Sequence, residues 1–484
     1  MLEYAAIIIA AQCVLLGAVI ILREPKLLIA VVVLGLPMEY LETETIHSLG
    51  SSGFAGAARS LLNPGQAAMA ATVVVGIIRA RHQPSRLIPD SALLLPILLL
   101  VGIQFLGVVW SDSLTPANSV LILPLYVGFV FVAPSFIEDR RDIERIVGAF
   151  LLAAILLAAL AAAQRLTGVF NWRGNLIQSD SYSYRSNATF ADPNNLARFL
   201  AVAMSLGAGV ILTNGPRRQT VYLAVPALVI GAVGIVATAS RSGWLMLVLC
   251  TFLVVLMAPI PRYTKARITF GCTTAMAILL GLLLAQGGND AERVKSLTSA
   301  VGVLGQRTFL IEAGWNMFKD NPIVGVGSGN YQHSLVTTYF DLVPYWAKTT
   351  LSHTSLVSLV AELGLVGIAV FSFFVLRVAI TLVRIYHSTE VAYNRLIAGW
   401  LSSSLVGILL VSQSEGRLFD EPYLWVLFAI TIAVETSPAL AGHRTERIAA
   451  INPTKVARPG RFRGQRVAPG AAALLATSTE VTPS

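Results

Sequence analysis

Three arginines fall in polar breaks between long apolar runs. They are Arg185 in Tyr184-Arg185-Ser186-Asn187, Arg241 in Ser240-Arg241-Ser242-Gly243-Trp244, and Arg307 ahead of Trp315-Asn316-Met317-Phe318. A guanidinium keeps its charge at all relevant pH and grips phosphate through two parallel N–H donors. His353 heads a fourth apolar run, and a neutral imidazole at a membrane–water boundary can serve as a general base near neutral pH. Arginines on one face of a membrane can hold a lipid-linked diphosphate as a leaving group. The histidine can then take the proton of an acceptor hydroxyl. The chemistry expected is glycosyl transfer, with displacement from the side opposite the diphosphate. It needs no cofactor, and no GxxxxGK[ST] pattern is present. It needs no metal either, because the arginines carry the leaving-group charge, and no outward Asp/Glu pair of the DxD kind is seen.

Each residue also has a plainer reading. Arg241 can snorkel to outer headgroups. Arg307 can pair with Glu312 as a surface residue, although a cation at a helix start is disfavoured by the macrodipole. His353 can cap a helix. Asp192 and Asn194, in Phe190-Ala191-Asp192-Pro193-Asn194-Asn195, can do no more than cap one; capping leaves Arg185 unexplained. Glu362, nine positions after His353 on one helix, is a buried carboxylate that is either functional or paired with another span.

The elements that must position these groups follow from composition. The chain has 484 residues, 55% hydrophobic and 13% charged, with formal net charge +9 and mean hydropathy +0.71. So little polar surface cannot cover a soluble protein of this length. Soluble enzymes, disulfide-stapled secreted proteins and disordered chains are excluded. Apolar runs at 4–22, 27–40, 64–80, 91–110, 118–135, 146–164, 194–213, 220–239, 243–260, 268–286, 354–382, 396–413 and 422–439 have the length of bilayer-crossing helices. With the second one short, the expectation is an all-α integral membrane protein of 12 or 13 transmembrane helices. Cys13, Cys250 and Cys272 lie inside these runs and read as neither disulfides nor metal ligands.

Lysine and arginine in the short loops set the orientation. Arg79, Arg81, Arg86, Arg217, Arg218, Arg262, Lys265, Arg267, Arg384 and Arg395 mark one side as cytoplasmic. The excess charge is therefore an orientation signal and not a sign of nucleic-acid binding. The membrane domain covers 1–440, and 441–484 reads as a basic, disordered cytoplasmic tail near anionic headgroups. Two outward segments, 165–193 and 287–353, exceed simple turns. The second holds a helical period from Arg307 to Phe318, with Phe309, Ala313 and Met317 on one side, closed by Asp320-Asn321-Pro322. This predicts a short interfacial helix on the outer surface or over the bundle. The competing function is a polytopic transporter or flippase for a lipid-linked or small anionic substrate. No inverted repeat supports it, and the polar residues cluster toward one face instead of the midplane.

Four blocks, in order, resemble the bacterial O-antigen ligase/O-antigen polymerase family. They are Phe190-Ala191-Asp192-Pro193-Asn194-Asn195, Ser240-Arg241-Ser242-Gly243-Trp244, Arg307 with Trp315 through Gly327, and His353-Thr354 followed by Gly364-Leu365-Val366-Gly367. The resemblance covers about residues 185–370; Thr354 stands where the family usually has Asn, Ser or Gln. It implies a GT-C-like transferase at the periplasmic face of the inner membrane. The donor would be an undecaprenyl-diphosphate-linked glycan. The acceptor would be lipid A–core, a growing polysaccharide or another hydroxyl. The family's diphosphate arginines carry over to Arg241 and Arg307 and its proposed base to His353, with Arg185 and Asn194 as further donor-binding candidates.

Overall fold

The computed structural model describes residues 24–39, 63–81, 88–111, 120–168, 185–213, 218–286, 307–342, 354–388, 391–413, 418–437 and 440. The expected span 4–22, the aromatic part of the 165–193 loop, His353 and the tail after 440 lie outside the described residues. Among the described residues every regular element is helical. The long ones are α1 Leu28–Gly35, α2 Pro64–Ala80, α3 Leu94–Val109, α4 Leu123–Val132, α5 Arg140–Thr167, α6 Pro193–Leu212, α7 Arg218–Ala237, α8 Arg241–Met257 and α9 Arg262–Gln286. There follow α10 Arg307–Asp320, α11 Tyr331–Thr337, α12 Ser355–Ser388, α13 Ala392–Val411 and α14 Pro422–Thr436. Five of these (α5, most of α7, α6, α12 and α13) are long and apolar enough to cross a bilayer, and others are shorter apolar helices. The protein is an all-α integral membrane protein.

Most spans begin and end within a few residues of the sequence expectation. Two start earlier. The expected 146–164 span is α5, Arg140–Thr167, because Asp139 and Asp142 form a capping box that begins the helix inside the charged stretch. The expected 268–286 span is α9, which starts at Arg262.

In lipid, apolar side chains gain nothing by leaving hydrocarbon for protein, so close helix approach depends on small residues and polar contacts. At α1–α2, a Cβ on Gly35 would lie 2.6 Å from the Gly65 nitrogen. At α5–α7, one on Gly234 would lie 2.5 Å from Ala158 Cβ. At α6–α8, one on Gly243 would lie 2.3 Å from Ala197 Cβ. Helix α14 is buried at every position from Pro422 to Val434, and α6 is buried almost throughout. In contrast, α7 exposes Tyr222, Val225, Val229 and Val233, a helical stripe of the kind that faces lipid.

Polar contacts sort the helix ends into two layers. At one end Lys26 pairs with Glu138 at 2.8 Å, Ser91 donates to Glu435 at 2.5 Å, Arg79 lies over Phe136 and Arg140 over Tyr393. This is the basic end. At the other end Asn63 Nδ2 donates to the Leu36 carbonyl at 3.1 Å, and Ser355 N donates to the Ser412 carbonyl at 3.2 Å. The starts of α6, α8, α12 and α14 belong to this second end.

A layer of irregular chain docks there. Residues 321–330 lie along α12 where that helix breaks at Gly364, at φ 59° and ψ −152°. Leu365 N donates to the Pro322 carbonyl at 2.8 Å, Val326 N to that of Ala361 at 2.9 Å and Gly327 N to that of Glu362 at 3.0 Å. Ser328 N reaches the Gly107 carbonyl at 3.1 Å, tying the segment to α3. The break is thus filled by another strand of chain, which satisfies the backbone groups it frees. Only glycine adopts this backbone readily, and a Cβ at 364 would stand 2.5 Å from the Ile323 carbonyl oxygen. Gly364→Ala is expected to lower the thermal midpoint of the purified protein in detergent, by a loss of roughly 1–3 kcal/mol; an unchanged midpoint would contradict this packing.

Candidate active site

The connection between α7 and α8 is three residues long and is fully determined by local chemistry. Thr238 Oγ1 donates back to the Ile235 carbonyl at 2.7 Å and accepts from Ser240 N at 3.2 Å. Ala239 takes φ +48° to reverse the chain. Ser240 caps α8, its hydroxyl accepting from Gly243 N at 3.2 Å, and it contacts the Ser242 hydroxyl at 3.1 Å. Trp244 Nε1 reaches back to the Ile235 carbonyl at 3.2 Å. Arg241 is therefore the first residue of a rigidly capped helix, and it is half-buried. The first turn of a helix presents its N–H groups and positive dipole end to anions.

Arg185 fastens this turn to the start of α6. Its Nε donates to the Thr238 carbonyl at 3.0 Å, and its Nη2 to Asn194 Oδ1 at 2.5 Å. Asp192 caps α6, accepting from Asn194 N at 2.7 Å. The structure thus brings Arg185 and Asn194 together and places them against the turn that carries Arg241. Asn194 Oδ1 is engaged by Arg185, so Asn194 orients that guanidinium.

The segment carrying Arg185 is held on every side. Ala188, at φ +48°, exchanges both backbone groups with the Gln164 side chain, at 3.1 Å and 2.9 Å. Thr189 Oγ1 donates to the Pro37 carbonyl at 2.7 Å, and Ala191 N donates to Glu39 at 2.8 Å. Ser186 N donates to the Ala237 carbonyl at 3.0 Å. The chain just after α1 and helices α5, α6 and α7 all contribute to this clamp.

Below it lies a pair that sequence reasoning missed. Arg198 and Glu421 are 0% and 1% exposed, with Nη2 and Oε1 3.1 Å apart. Arg198 also donates to Asn195 Oδ1 at 2.9 Å. A lone charge inside an apolar span was the available signal, but nothing in the spacing joins position 198 to position 421.

The outer layer places the remaining candidates. Arg307 opens α10, as its sequence position predicts; its side chain lies outside the described residues. The buried face of α10 is Leu310, Ala313 and Met317, which pack with Tyr331, Leu335 and Ala361. Phe309 does not share it and is 41% exposed, which corrects the expected face. The helix thus lies over the bundle, against the first part of α12. His353 itself is outside the described residues; the next residue, Thr354, is buried and precedes α12. Glu362 turns its carboxylate to the start of α11, accepting from Tyr331 N at 3.2 Å. It holds the layer's backbone and has no second span as partner in that bond. Tyr331 donates its hydroxyl to the Leu310 carbonyl, and burial, with the Glu362 charge second, raises its phenol well above the usual range. Tyr339 donates to Asp320 at 2.6 Å; burial and then that bond push it up to about 12. Both phenols therefore stay protonated donors at neutral pH.

Alanine at positive φ is strained, and a β-branched residue there more so. Ala239→Val is expected to lower the thermal midpoint, by about 1–2 kcal/mol, while Ala239→Gly leaves it near wild type. Equal midpoints for both variants would contradict the turn described here.

Comparison with known proteins places the site in context. Residues 226–372 match the family model described as O-antigen ligase. The matched stretch runs from α7 through the Arg241 turn and α10 to the broken part of α12, and includes Arg307 and His353; Arg185 and Asn194 precede it. No curated protein matches the chain.

Proposed function

We propose, taking as premise that residues 226–372 match the O-antigen ligase family model, which supports a glycan-transferring membrane enzyme, a specific reaction for this site. An acceptor hydroxyl attacks the anomeric carbon of a saccharide linked to undecaprenyl diphosphate. The bond from that carbon to the diphosphate oxygen breaks, and undecaprenyl diphosphate leaves with the electron pair. Arg241 and Arg307 hold the diphosphate and stabilise its growing charge. His353 takes the proton of the acceptor hydroxyl. Arg185, oriented by Asn194, adds positive charge beside the Arg241 turn. The reaction runs on the outer, periplasmic face of the bacterial inner membrane, with lipid A–core, a growing polysaccharide or another hydroxyl as acceptor. Residues 441–484 would then be a cytoplasmic tail.

The observation that supports this reading best is the placement of Arg241. It stands half-buried on the first turn of α8, at the bundle end where α6, α12 and α14 also begin. Helix N-termini and a guanidinium gathered at one end favour an anion there. A transporter would instead place its polar groups near the midplane.

The test uses full-length protein in nanodiscs, an undecaprenyl-diphosphate-linked glycan, and both lipid A–core and polysaccharide acceptors. Arg241→Ala and Arg307→Ala are each expected to reduce transfer at least about 100-fold, and His353→Ala about 100-fold or more. Arg241→Lys should be nearly as damaging as alanine, since an ammonium cannot make the bidentate contact. Wild-type protein that moves the lipid-linked glycan across vesicles yet transfers it to no acceptor would overturn the proposal.

A further inference from the structure

The buried pair Arg198–Glu421 has no role in the transfer chemistry above. A buried ion pair adds little net stability over a well-packed apolar pair of the same volume, because both charges must be desolvated. Stability alone therefore does not account for it. Its particular capacity is geometric: two apolar helices in lipid can slide, whereas a 3.1 Å contact between charged atoms fixes their register.

The pair stands where register matters most. Arg198 is one helical turn from Asn194, on the same face of α6, and Asn194 holds Arg185. Its neighbour Ala197 abuts Gly243, in the first turn of α8 behind Arg241. Glu421 is the residue just before α14, where the helix dipole favours its charge. In the first turn of α14, Tyr423 packs edge-on against Phe199 at 5.9 Å. A shift of α6 against α14 would therefore displace Asn194, Arg185 and the Arg241 turn together. We infer that Arg198 and Glu421 are positioning residues for the arginine site, fixing the start of α6 against the start of α14. The catalytic consequence rests on the transfer reading above; the structural one does not.

Two variants in nanodiscs test this. Glu421→Gln removes the charge, and Arg198→Met with Glu421→Leu replaces the pair by apolar groups that should fold at least as well. Both are expected to raise amide exchange in residues 185–198 and 238–243 at least tenfold, with exchange in 138–147 at the opposite end unchanged. Donor kcat/KM per folded molecule should fall at least tenfold in the apolar variant while its thermal midpoint stays at or above wild type. Unchanged exchange in the two segments, or a uniform rise through the bundle, would overturn the inference, as would failure of both variants to fold, which would make the pair a folding determinant. If wild-type protein shows no transfer at all, the transfer reading falls and the exchange result still decides the positioning role.

Discussion

The start of α6, the first turn of α8 and the α7–α8 turn are all linked to one buried contact, Arg198 to Glu421. It joins the starts of the two most enclosed helices, α6 and α14. From α6 the constraint passes to α8 through the Ala197–Gly243 approach. It passes to the α7–α8 turn through Asn194, Arg185 and the Thr238 carbonyl. A bilayer supplies no force that would otherwise set such registers, since lipid tails solvate leucine as well as a protein core does. Polar contacts and glycine-sized gaps set them instead.

The same solvent explains the two docked segments. Residues 185–192 and 321–330 are irregular, and each would leave polar backbone groups exposed near hydrocarbon. The first gives its groups to Gln164, Glu39, Pro37 and Ala237. The second pairs with the opened backbone of α12 around Gly364 and with Gly107. Glu362 belongs to this second device: its carboxylate serves the start of α11. Both segments therefore have backbone groups satisfied by the bundle instead of by solvent. Glycine is required on both sides of this contact, at Gly325 of the segment against the Glu362 carbonyl and at Gly364 of α12 against Ile323.

The helices were legible because hydropathy and caps act locally. Pro64–Ala80 matches its expected bounds, and α6 begins at the Asp192-Pro193 cap that the sequence displays. Sequence and structure differ where charged residues enter helices. Asp139 and Asp142 start α5 within a charged stretch, and α9 begins at Arg262. On α10 a four-residue step through 309, 313 and 317 competed with the true face through 310, and only packing against Tyr331 and Ala361 separates them. At the candidate site, Arg241 stands out in the sequence as an arginine among serines in an apolar chain. The Arg185–Asn194 contact was half legible, each residue noticed without the bond between them. Arg198 and Glu421 were not, because their pairing depends on how α6 and α14 pack, and no local pattern encodes it.

The start of α8, with Arg241, is proposed as a binding place for a lipid diphosphate. Equilibrium binding of undecaprenyl diphosphate itself to wild-type and Arg241→Ala protein in nanodiscs tests it most directly, without any acceptor or turnover. Loss of one bidentate charged contact predicts at least about tenfold weaker binding. Equal affinity of the two proteins would contradict the account.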